Sequence, residues 1–138
     1  MANWIMALSE DSYRSIVKHE LLPFYGDSKS QNLIDSTQIG DNLVFYITKK
    51  KSLKGLAKIK SKSFLDESIV FGDNRDIEWN QRLKIKFVDS SKETDFKPLI
   101  DNLDLIKRKD IVYSAYFVRT LIKISNKDFG FIKKALGL

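Results

Sequence analysis

The chain of 138 residues has no cysteine, a single histidine, two prolines and six glycines. Without cysteine there is no disulfide framework and no thiolate metal site. With His19 as the lone imidazole, paired-histidine metal chemistry is excluded too. His19 falls at the end of the first predicted helix, where it reads as a solvated residue. No Gly-x-Ser-x-Gly elbow accompanies it to make a nucleophile. The glycines are scattered singly, so Gly40-Asp41 and Gly72-Asp73 are turn dipeptides and not parts of a phosphate loop. Asp73-Asn74-Arg75-Asp76 lacks calcium-loop spacing and reads as a polar surface turn, and Asp101 and Asp104 as a solvated helix face. No catalytic residue, metal or cofactor is expected, and the protein is read as a binding module and not an enzyme.

Long apolar runs are missing as well. Leu43-Val44-Phe45-Tyr46-Ile47 is among the longest, far short of a bilayer span. Met1-Ala2-Asn3-Trp4-Ile5 has neither the basic nor the apolar part of a secretion signal. The expectation is a cytoplasmic protein that does not engage membranes. With 43% hydrophobic and 30% charged residues, no repeat and no linker, residues 1–138 are read as a single globular domain.

Periodicity gives the organisation. Residues 3–7 read as a short buried strand, after which Ser9 caps a helix with Glu10 and Asp11 in its first turn and Tyr13, Ile16 and Val17 on its apolar face. Residues 21–35 read as irregular. Strands are expected over 42–48, 55–64 and 82–88, with 64–80 a long loop containing one turn. A short helix from Asp95 tolerates Pro98 in its first turn, and residues 111–118 are apolar and ambiguous. Ser125 and Asp128 form a capping-box-like start to a last helix carrying Phe129, Ile132 and Leu136. Locally paired short strands with appended helices imply an α+β fold around a mixed, curled or barrel-like sheet.

Two features point to binding. The net charge is +6, and basic residues recur at period two: Lys58, Lys60 and Lys62 on one strand, Arg82, Lys84 and Lys86 on another. Such faces either contact phosphates or form an ordinary solvated surface; as neighbours, their like charges would repel without water or an anion between them. Trp4, Phe24, Tyr25, Tyr46, Phe71 and Trp79 lie on or beside loops and strand ends. Recognition of a base outside a duplex needs flat apolar walls and an edge-reading polar group. The same aromatics also serve as core, the better reading for Trp4 and Tyr46.

Asn3-Trp4-Ile5-Met6, Ser9-Glu10, residues 22–32 and Gly40-Asp41-Asn42-Leu43-Val44-Phe45-Tyr46 occur in the order seen in the EVE domain family of the PUA-like superfamily. Gly55-Leu56-Ala57, Arg82-Leu83-Lys84-Ile85-Lys86, Asp95-Phe96-Lys97-Pro98-Leu99-Ile100, Leu105-Ile106-Lys107 and the helix around Asp128 continue the match. The chain resembles the small stand-alone prokaryotic members. That resemblance implies a PUA-like curled mixed sheet, a pseudo-barrel flanked by short helices, related to the YTH domain that holds methylated adenine in an aromatic cage. It also implies a reader of modified bases, methylated adenine or modified cytosine, in RNA or DNA. It places Phe24 where the family has a cage Trp, Asn32 and Ser9 as edge readers, and Phe71 or Trp79 as the second wall beside Tyr25. Lys29, Lys58, Lys60, Arg82 and Lys84 are the expected backbone contacts. Two departures stand out: Phe24 replaces the indole, and residues 111–118 lack the family's glycine and tryptophan. Alternatives are a protein-interaction or adaptor module with a vestigial pocket, using 111–118 as its contact face, and a general PUA-style RNA binder. A monomer or weak dimer is expected.

Overall fold

A computed structural model of the protein describes residues 1–105 and 121–138. The apolar stretch 111–118, together with Ile106 and Lys107, lies outside the described residues.

The strands that lack polar alternation are those buried on both faces. In β1 (Asn3–Leu8), Trp4, Met6 and Leu8 enter one core while Ile5 enters another. In β3 (Asn42–Ile47), Leu43, Phe45 and Ile47 face the first core, and Val44 and Tyr46 the second. A period of two with both faces covered leaves polar side chains only at the strand starts, Asn3 and Asn42, which bond to each other. The first core is closed by α1 (Glu10–His19) and α2 (Ser28–Asp35) through Tyr13, Ile16 and Ile34. The second is closed by a 3-10 turn (Lys97–Asn102) and α4 (Asn126–Ala135), with α3 (Arg75–Glu78) lying outside both.

With β2 (Leu21–Phe24), β4 (Ser52–Ile59), β6 (Gln81–Asp95) and β7 (Leu121–Ile124), the strand order is β2-β6-β4-β3-β1-β7, and the two-residue β5 (Phe64–Leu65) pairs with β6. β1 and β3 run parallel, and the remaining pairs are antiparallel. This is the expected curled mixed sheet flanked by short helices.

Several segments depart from the periodicity reading. Residues 21–35 are regular: β2 accommodates Pro23 because an edge strand needs no amide at every residue. α2 is polar except for buried Ile34 and half-buried Leu33 and is initiated by Asp27, whose carboxylate accepts from Ser30 N at 2.7 Å. β6 extends past Val88 to Asp95 because its polar second half pairs with the start of β4. The expected helix from Asp95 is therefore a strand end, and helical turns begin only at Lys97. β7 carries no signal in sequence beyond four residues, and it is held by pairing with β1. At α4, Ser125 caps Asp128 N at 3.1 Å as expected, but the Asp128 carboxylate reaches Asp104 N and Leu105 N instead of closing a reciprocal box.

Trp4 is core, as read. Its indole N–H donates at 3.0 Å to Asp41, whose two oxygens also accept from Ala2 N and Gln38 N. Burial raises the Asp41 pKa, but these donors outweigh it and hold the carboxyl below its ordinary value.

Gly55 sits at the bulge where β4 changes register against both β3 and β6, at φ +71°. A Cβ there would overlap the Tyr13 hydroxyl, which donates to Ser90 O at 2.8 Å. Gly55→Ala therefore combines left-handed strain with a clash in the core. We expect a loss of about 2–3 kcal/mol, seen as a fall of roughly 10 °C in thermal unfolding.

Candidate functional site

Where β1 hands over to α1, the chain turns at Ser9, which has extended backbone angles and caps the helix. Its Oγ accepts from Ser12 N at 3.2 Å and donates to Ser12 Oγ at 3.1 Å. The Ser12 hydroxyl proton is thereby left without a protein acceptor among the described residues. These two hydroxyls open onto a cavity of about 260 Å³ whose other walls are the end of β1, Ile16, Pro23, Phe71 and Trp79. Phe71 and Trp79 meet edge to face, with centroids 5.8 Å apart and planes at 89°. The Arg75 guanidinium lies over Phe71 at 4.1 Å. Among the described residues, no side chain that lines this cavity is charged.

Residues 66–79, which carry both aromatics, are tied from within. Asp76 is 5% exposed and accepts from the amides of Val70, Phe71 and Gly72 at 2.8–3.0 Å. Burial pushes its pKa up, yet the three amides and Arg82 outweigh that and keep it below the ordinary carboxylate value. Arg82 is fully buried. Its Nε donates to Trp79 O at 2.9 Å, and its Nη2 to Ser68 O and Asp76 O at 3.2 and 3.1 Å. One carboxylate and one guanidinium thus fix the backbone that presents Phe71 and Trp79.

A second, smaller cavity of about 80 Å³ adjoins the first; Pro23 and Trp79 border both. Its remaining walls are Phe24, Tyr25, Ser30 and Leu33. Tyr25 is 52% exposed. The turn that follows it docks through Gly26 N onto Glu78 O at 3.0 Å, beside Asn80. A larger polar depression of about 400 Å³ lies at the other end of β1, around Asn3, Gln38, Asp41 and Asn126. It has no aromatic wall among the described residues, and the Asp41 carboxylate in it already accepts three hydrogen bonds from the protein.

The structure therefore brings together Ser9, Phe71 and Trp79, and places Phe24 and Tyr25 next door. Phe24 is a core residue at 3% exposure that touches only the smaller cavity, because β2 turns its ring inward beneath α2. Asn32 is exposed on α2 and lines neither cavity, so the edge-reading role does not fit its position. Arg82 is not on a phosphate-contacting face: residues 66–79 cover it, and its donors hold backbone carbonyls. Asp76 is likewise buried, not part of a surface turn. Ser12 and Pro23 were not foreseen. Ser9 is readable as a cap, but that Ser12 shares its cavity shows only in the fold, and Pro23 emerges only once β2 is known to be a strand.

Lys58, Lys84 and Lys86 fall on strands as the alternation implied, but β4 ends at Ile59 and does not reach residue 64, so Lys60 and Lys62 lie beyond it. β4 and β6 are neighbours, with Lys58 directly opposite Lys86, and Lys60 N donates to Lys84 O at 2.8 Å. Lys58 Nζ donates to Asn42 at 3.0 Å, and Lys84 lies 5.9 Å from the Phe64 ring. No carboxylate pairs with Lys58, Lys60, Lys84 or Lys86 among the described residues. Lys29 is exposed in the first turn of α2.

A model of the EVE domain family matches residues 2–135. A UPF0310 protein of Pyrococcus horikoshii is 26% identical over 147 residues, covering 99% of both chains. Among solved structures, the YTH domain of the Zygosaccharomyces rouxii MRB1 protein in complex with N6-methyladenosine RNA superposes with a TM-score of 0.72. It is 15% identical, over 98% of this chain and 86% of that one. The YTH domain of mmi1 in an RNA complex gives 0.65 at 11% identity, over 97% and 80%. At these identities the solved structures establish likeness of fold.

Proposed function

This chain belongs to the EVE domain family, and from that premise we propose that it is a non-catalytic nucleic-acid-binding module whose uncharged aromatic cavity takes a modified base. The observation that carries the proposal is the convergence of Phe71, Trp79, Pro23 and the Ser9–Ser12 hydroxyls on one cavity, in a molecule whose facing lysines no carboxylate pairs among the described residues. A methylated base has gained apolar surface, and N6-methyladenine has also lost a hydrogen-bond donor. Apolar walls favour it, and the free Ser12 hydroxyl supplies a single donor to an acceptor on its edge. The likeness to YTH domains, two of them described in complexes with RNA, supports the same reading.

Lys58, Lys60 and Lys84, with Lys86 and Lys29, are assigned to the phosphate backbone. Two like charges in register across a sheet disfavour the free protein slightly, and a phosphate between them removes that cost. Five such contacts to a single strand give a slope of log affinity against log salt of about −3.5. Replacing Lys84 and Lys86 by Gln should make the slope shallower by roughly 1.4, measured by fluorescence anisotropy from low to moderate salt.

The deciding experiment is a panel of single-stranded oligonucleotides, RNA and DNA, carrying adenine, N6-methyladenine, cytosine or 5-methylcytosine at one position. Preference for a modified member supports the proposal. Equal affinity for modified and unmodified members overturns base reading and leaves general nucleic-acid binding.

A further inference from the structure

Base reading as proposed above accounts for one cavity, yet Trp79 borders two. The smaller one has features of its own. Tyr25 is an aromatic left half exposed at the end of an edge strand, and its hydroxyl has no protein partner among the described residues. The backbone beneath it is not loose. Gly26 N donates to Glu78 O, one residue before Trp79, and a side chain at Gly26 would collide with Asn80, so the Tyr25 turn is seated directly on the segment that carries Trp79. The other walls, Pro23, Phe24 and Leu33, are apolar, and Ser30 adds one hydroxyl. Lys29, with no ion pair among the described residues, stands in the adjoining first turn of α2.

We infer that the two cavities are successive subsites for one strand: the larger takes the modified base, and the smaller takes the neighbouring nucleotide, its base stacked on Tyr25. The inference rests on the base-reading proposal. The small groove and the larger cavity share Pro23 and Trp79 as walls, and an open groove of about 80 Å³ suits a base laid against its rim, not one swallowed whole. Two bases separated by one indole lie about 7 Å apart, twice the roughly 3.4 Å rise of a stacked strand and within one extended backbone step. Aromatic stacking tolerates any base, so this subsite adds affinity and polarity of binding more than sequence choice. It makes the module read a modified base together with its neighbour and disfavours a modified base at that end of a strand.

The test uses the full chain, the N6-methyladenosine and 5-methylcytidine nucleosides, and nine-nucleotide RNAs carrying each at the centre. Further RNAs are abasic on one side or the other of the modified residue. Tyr25→Ala should weaken the intact RNA roughly tenfold while leaving the nucleoside within about twofold, and Tyr25→Phe should behave as wild type. Removing the neighbouring base on one side alone should weaken the wild type by the same factor and make Tyr25→Ala silent. Trp79→Ala should weaken both nucleoside and RNA. If Tyr25→Ala weakens nucleoside and RNA equally, or neither, or if the abasic and Tyr25 effects simply add, the second subsite is overturned while base reading stands. If no modified probe binds better than its unmodified counterpart, base reading fails and this inference falls with it.

Discussion

Trp79→Ala is expected to lower affinity for a methylated oligonucleotide by about 10- to 100-fold, the worth of one base–aromatic stack, with little change in folding. The side chain borders both cavities and meets Phe71 edge to face, so its loss removes a wall from each. The contribution of position 79 to stability runs instead through its backbone: the carbonyl accepts from Arg82 Nε, and the substitution leaves that bond in place. The expected signature is a collapsed affinity with an unfolding midpoint shifted by only a few degrees, and partial recovery in Trp79→Phe, which restores a flat ring of smaller area. Loss of affinity for unmodified oligonucleotide by the same factor would assign Trp79 to general stacking and remove its role in selecting a modified base.

Arg82→Met should have the opposite profile, a large loss of stability from a residue that touches no ligand. Its guanidinium is fully buried beneath residues 66–79 and serves three carbonyls. Removing it strands those acceptors and leaves Asp76 without its nearby cation, 4.0 Å away. Breaking a buried ionic arrangement in this way costs about 3–5 kcal/mol, and hydrogen exchange should rise first across residues 66–79. Base affinity falls as well, because Phe71 and Trp79 lose their support. A Trp79→Ala background should then show little further loss of affinity from Arg82→Met, although the stability defect persists.

Asp76 gives the same network a pH dependence. Its folded pKa lies below the ordinary carboxylate value, so the ionised form is favoured by folding. The associated stability is fully present above the ordinary carboxylate range and is lost as pH falls through the depressed folded value. Asp41 behaves in the same sense. Thermal midpoints should therefore be flat near neutrality and fall below about pH 4, with a smaller acid-induced drop in Asp76→Asn, which is less stable at neutral pH.

How much of this was legible in the sequence depended on whether a residue's role was local. Ser9 and Ser125 as caps and the alternation of Arg82, Lys84 and Lys86 along β6 follow from neighbours within four residues, and each stands where it was expected. β2 and α2 were hidden because Pro23 breaks the strand pattern and α2 buries only Ile34. What makes both elements regular is contact with β6 and the first core, hundreds of atoms away along the chain. Arg82 is the instructive failure. Its alternation with Lys84 and Lys86 is real, since all three share a face of β6, but the residues that cover that face at Arg82 alone come from the segment 66–79. Periodicity reports which face a side chain is on and is silent about what lies over that face. Phe71 and Trp79 were recognisable as candidates by type, whereas the pairing that makes them one wall needs the Asp76 turn.

The pairing of β1 with β7 also bears on the order in which the molecule can be assembled. Asn3 lies opposite Ile124 and Met6 opposite Leu121, so one edge of the first strand has its partner some 120 residues later. At about 5–20 residues per second, that edge waits on the order of 10 seconds during synthesis, with only β3 available on its other side. An apolar strand with an open edge is a template for pairing with another chain. Met6 to Ser9 also line the larger cavity, so its floor is the last part of the binding site to be secured. Slowing translation, or weakening β7 by a proline at Ile122, should therefore raise aggregation during expression before it alters any property of the finished protein.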